Sequence, residues 1–503
     1  MAILPQAITP KISAVRGASA RYDALLVVAS STGATDRFAG LPDAASLRAL
    51  QQRPGTKNSV RHCTLANAAR TRAFVVWADD HSSPFEKLAQ AGRLVKAAFS
   101  DTPRRIAIAV RGFDKTCSEA WREALLTATL AGSAPLPKFS AKPSKNAAPQ
   151  AILFLDPHQL DVARIVIGAR ANALARWLTA LPPNKLDAVQ YRNAIATLAR
   201  RHGLQFKWYD ERQLRRLGAG AFLAVAAGNA DRNAGIAQLR YRPKRTRSDN
   251  SASRRRPDIA LVGKGILFDT GGNNLKPHRS MLDMHIDMAG SAVALATIVA
   301  LSELRTPLAV DAWLAITENR IGPTAYRPQD VVTAVNGVTI QVIHTDAEGR
   351  MALADTLALA ARAQPRAMLD YATLTGACVY ALTERMSGVF TNRNALGGIL
   401  SDAGAQSGER VLNFPLDADF DSDLESKVAD IMQCTLNGKG DHILAARFLM
   451  RFVPDAIPWV HMDLAAAMRS GGLGAISSDI TGFGVRYTLQ LLGDARFLKA
   501  IQT

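Results

Sequence analysis

The chain has 503 residues, 48% hydrophobic and 21% charged, which supplies apolar material for two cores and argues against a disordered chain. The net charge of +18 is uneven: residues 1–260 carry 41 basic and 18 acidic side chains, whereas residues 261–503 carry 20 and 25. The basic half would attract polyanions and the acidic half cations, while four widely spaced cysteines without a CxxC pair exclude a disulfide framework or a thiolate zinc site.

In chain order, the start of the sequence lacks the basic, apolar, small-residue order of a secretory signal. No apolar run reads as long enough to span a bilayer, so a cytoplasmic protein without a membrane partner is expected. The runs ALLVVA (24–29), AFVVW (73–77), IAIAV (ending at Val110) and AILFL (151–155) predict strands. Helical patterns at 84–99 and 117–131 lie between them, so residues 1–155 read as a smaller N-terminal α/β domain. The stretch 134–150, rich in Pro, Ala, Ser and Lys, predicts a surface loop. An apolar helical pattern over 160–180 predicts a connecting helix, placed at 156–183 and broken by LPPN at 181–184.

Residues 184–503 read as a larger C-terminal α/β catalytic domain, a central mixed sheet flanked by helices. Its predicted strands are 259–263, 309–316, 339–343 and 366–372, and its predicted helices 288–304, 351–363 and 441–453. The polar, basic stretch 242–257 has no period and predicts a disordered surface insertion. No internal repeat is evident.

Unusual polar residues concentrate in two segments of this second domain. In GKGILFDTGGNNLKPHRSMLDMHIDMAGSA (263–292), Lys264 follows an apolar strand, Asp269 precedes Gly271 and Gly272, and Lys276 and Asp287 follow. Strand ends feeding glycine-rich loops are where α/β sheets keep their sites. In VIHTDAEGRMALAD (342–355), Asp346 and Glu348 stand two apart, a spacing that in extended backbone sends both carboxylates to one face. Arg350 follows, and Gly349 permits a turn into the next helix. Three aspartates and one glutamate sharing a pocket would need cations, and a pair of divalent ions with bridging carboxylates would supply them. Oxygen ligands suit Mn²⁺ or Mg²⁺, and Zn²⁺ also fits. The same acids would serve equally as helix caps or as partners of Arg and Lys.

GKGILFDTGGNNLK, HIDMAGSA and HTDAEGRMALAD closely resemble the signatures of the leucyl (cytosol) aminopeptidase family, with TDAEGR the most specific string. AYRPQDVVTAVNG, ATLTGACVYAL, WVHMDLAAAM and TGFGVR extend the resemblance over roughly residues 170–490. It implies a dinuclear metallo-aminopeptidase that removes N-terminal residues from peptide substrates. Lys264, Asp269, Asp287, Asp346 and Glu348 match the family's metal-binding side chains, and Lys276 and Arg350 its two catalytic cations. It implies a metal-bridged water as nucleophile, the substrate's α-amine on one ion, and a bicarbonate held by Arg350 as proton acceptor. Lys264 would have to bind as the neutral amine, its pKa depressed by the ion. Met284, Thr373, Gly376, Ala465 and Met468 match positions lining the family's first specificity pocket, and that apolar set suits Leu or Met side chains. A homohexamer is implied too. His285 and His344 depart from the usual residues and read as surface or supporting side chains, and CTLNGKGDHILAARF (434–448) matches only loosely. The alternative is a DNA-binding regulator using the basic first half, although no recognised helix-turn-helix or RNA-binding string is present.

Overall fold

The computed structural model describes residues 3–5, 10–14, 21–32, 37–52, 59–141, 148–243 and 256–502. The insertion expected at 242–257 therefore lies mostly outside the described residues. The chain forms a mixed α/β structure in two parts, each built around its own sheet.

The N-terminal sheet contains β1 (Lys11–Ala14), β2 (Ala24–Ser30), β3 (Arg61–Thr64), β4 (Arg72–Ala78), β5 (Arg105–Arg111) and β6 (Ala151–Phe154), in the order β1-β6-β5-β2-β4-β3. All its pairings are parallel except β3 with β4. Parallel strands covered on both faces become continuous apolar runs, and all seven residues of β2 are buried. The helix Pro84–Phe99 packs on the helix Lys115–Ser133. It starts with Pro at its first position and a capping box, in which Ser83 Oγ accepts from Glu86 N and Glu86 accepts from Ser83 N.

The helix Val162–Thr179 packs against both Lys115–Ser133 and the helix Ala289–Glu303 of the larger part. Its buried Arg176 donates to the Ala131 carbonyl (3.1 Å) on one side and to Ser478 Oγ (3.1 Å) on the other.

The larger part contains β7 (Gln205–Asp210), β8 (Gly235–Tyr241), β9 (Ile259–Asp269), β10 (Val310–Asn319), β11 (Val331–Thr333), β12 (Thr339–Gln341), β13 (Ala367–Ala372), β14 (Ser387–Thr391), β15 (Val411–Asn413), β16 (Ile431–Met432) and β17 (Trp459–Asp463). Eight form one sheet in the order β15-β14-β17-β13-β9-β10-β8-β7, and β11-β12-β16 form a small second one. The middle of the large sheet, β17-β13-β9-β10, is parallel. Alternate residues of β9 feed two cores: Ile259 and Leu261 join one cluster, Ala260 and Val262 the other. The helices Ala188–Arg201 and Ala289–Glu303 cover the first face, and Glu348–Ala361 and Asp441–Met450 the second.

Met284–Glu303 meets the length and apolarity of a bilayer span, contrary to the expectation that no run does. It is a core helix, with 83% of its apolar window buried inside the protein. Cys378 and Cys434 are buried, Cys63 and Cys117 half-buried, and all four are free thiols.

A candidate metal centre at the ends of the central strands

Lys264 does not follow its strand as expected. It sits in mid-strand, because β9 runs on to Asp269. Two glycine contacts explain how so polar a residue is accommodated. A Cβ at Gly263 would fall 2.5 Å from Ser291 Cα, so glycine lets the helix Ala289–Glu303 press onto β9 and brings Asp287, just before it, over the strand. A Cβ at Gly349 would fall 2.6 Å from Lys264 Nζ, so the next helix also lies against the lysine. Gly349 is thus needed for close approach, rather than for the turn expected of it.

The Lys264 ammonium lies 2.8 Å from Asp287 Oδ1 and 2.9 Å from Glu348 Oε1, and donates to the Thr373 carbonyl at 2.9 Å. Lys276 Nζ lies 2.9 Å from Asp269 Oδ2 and 2.6 Å from Asp346 Oδ1. Oxygens of Asp269, Asp346 and Glu348 fall within 4.8 Å of one another. Asp346 and Glu348 converge by a different route from the one expected. Residues 345–346 form a turn and Glu348 opens the helix Glu348–Ala361, so no extended strand aligns them.

Asp269 is oriented by its surroundings, since its Oδ1 accepts from Gly271 N and Asn319 Nδ2, both at 2.8 Å. Gly271 and Gly272 have φ of +86° and +62°, a left-handed turn that folds the loop back toward Thr345. Thr345 Oγ1 donates to the Gly271 carbonyl at 2.7 Å. Asp287 Oδ1 accepts from Thr373 Oγ1 at 2.7 Å, while Asp287 Oδ2 is buried without a hydrogen-bond partner among the described residues.

Four carboxylates thus face two ammonium groups, a deficit of positive charge in a buried pocket. Burial, with like-charged neighbours adding to it, pushes Asp287 up to about 8 and Glu348 to about 7, and Asp346 up to about 6. Burial opposes the charge of Lys264, but Asp287, Glu348 and Asp269 outweigh it and raise its pKa. An oxygen-rich cluster short of positive charge, with an orphaned carboxylate oxygen, fits divalent cations.

The family model described as the cytosol aminopeptidase family, catalytic domain, matches residues 173–489. The chain belongs to the cytosol aminopeptidase family. It is 42% identical over 347 residues to a "Probable cytosol aminopeptidase" of Syntrophotalea carbinolica, covering 68% of each chain. A second relative of that description, from a Synechococcus species, is 33% identical over 474 residues, covering 92% of this chain and 93% of that one. Among solved structures, a bottromycin maturation enzyme, BotP, in complex with Mn aligns with a TM-score of 0.79 at 28% identity, covering 96% of this chain and all (100%) of that one. A tomato leucine aminopeptidase variant aligns at 0.81 and 26%, covering 97% and 98%. This cytosol aminopeptidase family member is a metallo-aminopeptidase, a hydrolase of peptides.

The other residues singled out in the aminopeptidase sequence fall into four groups. Arg350 is buried beside the cluster, and its Nη2 donates to both Asp441 oxygens, at 2.9 and 2.8 Å. Its Nη1 donates to the Gln433 carbonyl at 3.2 Å, and its Nε is buried with no partner among the described residues. Thr373 touches the cluster directly, and Met284 opens the short helix that carries Asp287. Gly376, Ala465 and Met468 stand further along the chain. Asp463 ties two of their segments together, accepting from Leu374 N and from Thr375 Oγ1 (2.6 Å) just before Gly376, two residues ahead of Ala465. His344 Nδ1 accepts from Asp346 N at 3.3 Å, a supporting role, and His285 is half-buried.

Sequence reading missed Asn319, Gln433, Tyr326, whose hydroxyl donates to the Thr345 carbonyl at 2.8 Å, and Asp463. Asn319 is paired in register with Asp269 on the neighbouring strand, and its Nδ2 donates both to Asp269 and to the Thr345 carbonyl. The polar residue closing the apolar run VDAWLAIT was its only signal. Gln433 accepts from Ile343 N and His344 N and donates to the Ala347 carbonyl, fixing the loop that carries Asp346. Its place 87 residues from that loop left nothing local to read.

Proposed function

We propose that Asp269, Asp287, Asp346, Glu348 and Lys264 hold two divalent ions, Mn²⁺ or Zn²⁺ with Mg²⁺ also suited, and that the site hydrolyses the N-terminal peptide bond of peptides. The observation that carries this reading is the buried cluster of four carboxylates with only two lysines and an unpartnered Asp287 Oδ2. When bound, a pair of such ions polarises a carbonyl oxygen and acidifies water. The rest is work for the chain's own groups.

Lys276 keeps its proton, since Asp269, Glu348 and Asp346 together outweigh its burial, and it opposes negative charge growing on the scissile carbonyl oxygen. Lys264 is held charged by its carboxylate partners, so coordination requires it to exchange its proton for an ion. Thr373 orients Asp287, and Asn319 orients Asp269, which fixes both carboxylates before a substrate arrives. Bicarbonate was expected on Arg350, but Asp441 already occupies one terminal nitrogen of that arginine and the Gln433 carbonyl engages the other. The Arg350 Nε, buried and without a partner among the described residues, is left to hold bicarbonate.

Met284, Thr373, Gly376, Ala465 and Met468 are assigned to the pocket for the leaving residue's side chain, which favours Leu and Met. Domain limits are placed at 1–155, 156–183 and 184–503, in the cytoplasm, as a homohexamer; a monomer by light scattering at micromolar concentration would refute the assembly. The comparisons give no support to the DNA-binding alternative.

One experiment tests the reaction. The protein is stripped with chelator, reloaded with Mn²⁺, Zn²⁺ or Mg²⁺, and assayed on a panel of aminoacyl substrates, with and without bicarbonate. Activity should vanish and return with metal, be greatest on Leu and Met, and be greater with bicarbonate. Full turnover by protein shown to be metal-free would end the proposal.

A further inference from the structure

A cleft of about 370 Å³ opens between the helix Pro84–Phe99 of the N-terminal part and the loop 469–477 of the catalytic part. Its volume falls in the range of small-molecule sites, roughly 300–1,000 Å³. Arg93, Lys96, Arg385, Arg410 and Arg469 line it, and no acidic residue among the described residues does. Five like charges around one concavity repel one another unless an anion joins them.

The walls are firmly built. A Cβ at Gly92 would lie 2.6 Å from the Gly474 carbonyl oxygen, so helix and loop touch backbone to backbone at the floor. The loop is closed on itself, with Leu473 and Ile476 exchanging both backbone hydrogen bonds at 2.9 and 3.0 Å. Arg410 lies over the Phe85 ring at 3.9 Å, which holds its guanidinium plane at the cleft wall. Its Nε is buried without a hydrogen-bond partner among the described residues. Burial and then the nearby Arg385 push its pKa down, against a smaller opposing pull from Glu86. Two acids of the flanking segments are engaged elsewhere: Glu86 caps its helix with Ser83, and Asp479 accepts from Gly471 N.

We propose that this cleft binds a small, multiply charged oxyanion of the diphosphate class, which bridges the two parts of the chain. A phosphate group carries roughly −1.5 to −2 near neutral pH, so two linked phosphates balance most of the five positive charges. Four of the five cations are arginines, whose planar donors match phosphate oxygens bidentately. The cleft is a bounded concavity rather than a stripe, which favours a small molecule over a nucleic-acid backbone. This site stands apart from the residues assigned to the metal centre, so its test is independent of the peptidase reading.

Calorimetric titration of the metal-loaded enzyme with inorganic pyrophosphate, at about 0.15 M salt to suppress loose ion pairing, should show saturable binding. Orthophosphate and citrate should bind more weakly, and pyrophosphate should raise the melting temperature. Arg93→Gln/Lys96→Gln alters two exposed helix positions, and should weaken binding by about tenfold or more through lost charge-assisted contacts. Arg410→Lys keeps the charge but removes the orphaned Nε–H, and should also weaken it. Pyrophosphate is also a metal chelator, so the same titration is run on Asp346→Asn, where binding should persist. The proposal is overturned if nothing saturates, if citrate binds as tightly, if only oligonucleotides bind, or if binding survives the Arg93/Lys96 pair and is lost in Asp346→Asn.

Discussion

Replacing Gly349 by alanine tests the geometry of the centre without replacing any charged group. The new methyl carbon would lie 2.5 Å from Lys264 Cε and 2.6 Å from its Nζ, inside any tolerable contact. Lys264 has nowhere to retreat, because its ammonium is fixed by Asp287, Glu348 and the Thr373 carbonyl at 2.8, 2.9 and 2.9 Å. Expelling it leaves two buried carboxylates without their partner, and breaking a buried ion pair costs about 3–5 kcal/mol. Alanine returns about 1 kcal/mol through helix propensity, so metal-free Gly349→Ala should lose roughly 2–4 kcal/mol of stability. Gly398→Ala is the control: it too lies inside a helix, but its added Cβ meets nothing within 4 Å. Urea denaturation of both variants, with elemental analysis and peptidase rates, gives the comparison. Gly349→Ala should be the less stable, should lose bound metal, and should fall by about a hundredfold or more in kcat/KM, the scale for losing a charge-stabilising group. If it matches the control in stability, metal content and rate, Lys264 does not pack where the structure places it and its assignment as a ligand is wrong.

Lys276→Ala should leave the metal content intact while lowering kcat by roughly a hundredfold, the usual effect of losing one oxyanion donor; an equal loss of metal would make Lys276 part of the holding cluster instead. Away from the centre, the buried Asp355 accepts from Phe222 N (2.8 Å) and Val335 N (2.7 Å), and burial pushes its carboxyl up to about 7. Its folded pKa exceeds the unfolded one, so the folded state holds a proton that the unfolded state has released, and stability from this group falls as pH rises from about 4 to about 7. Asp355→Asn should flatten that part of the pH–stability curve and, with one amide donor left unpaired, cost about 1–3 kcal/mol; urea midpoints at several pH values would expose an unchanged slope.

The legible parts of the fold were those whose burial forced a periodic or continuous apolar pattern. The strands β2, β4, β5 and β6 are covered on both faces and read directly as apolar runs. The short edge strands β1 and β3 and the three-residue β11 bury too little to leave such a mark. At the site, the charged residues were visible because strand and loop motifs keep them close in sequence. Their supports were not: Asp441 meets Arg350 across 91 residues, and Asp463 meets Thr375 across 88. The inference that failed locally, the extended Asp346–Glu348 pair, failed because a helix N-terminus can aim a carboxylate as well as a strand can.

The two lysines of the centre are alike in charge but not in setting, and that difference orients the site. The Lys264 side chain is 4% exposed, pinned between a helix glycine and a backbone carbonyl, and its partners Asp287 and Glu348 are equally shut in. The Lys276 side chain is 13% exposed and its partner Asp346 26%, so the cluster opens to solvent on their side alone. A group that must meet a substrate has to stand at the opening, whereas a group that only completes a coordination shell can be closed off. On the proposed reading the peptide lies over Lys276 and Asp346, with Lys264 and Asp287 forming the floor. Burial is the first cause of the upward displacement of both Asp287, at about 8, and Asp346, at about 6.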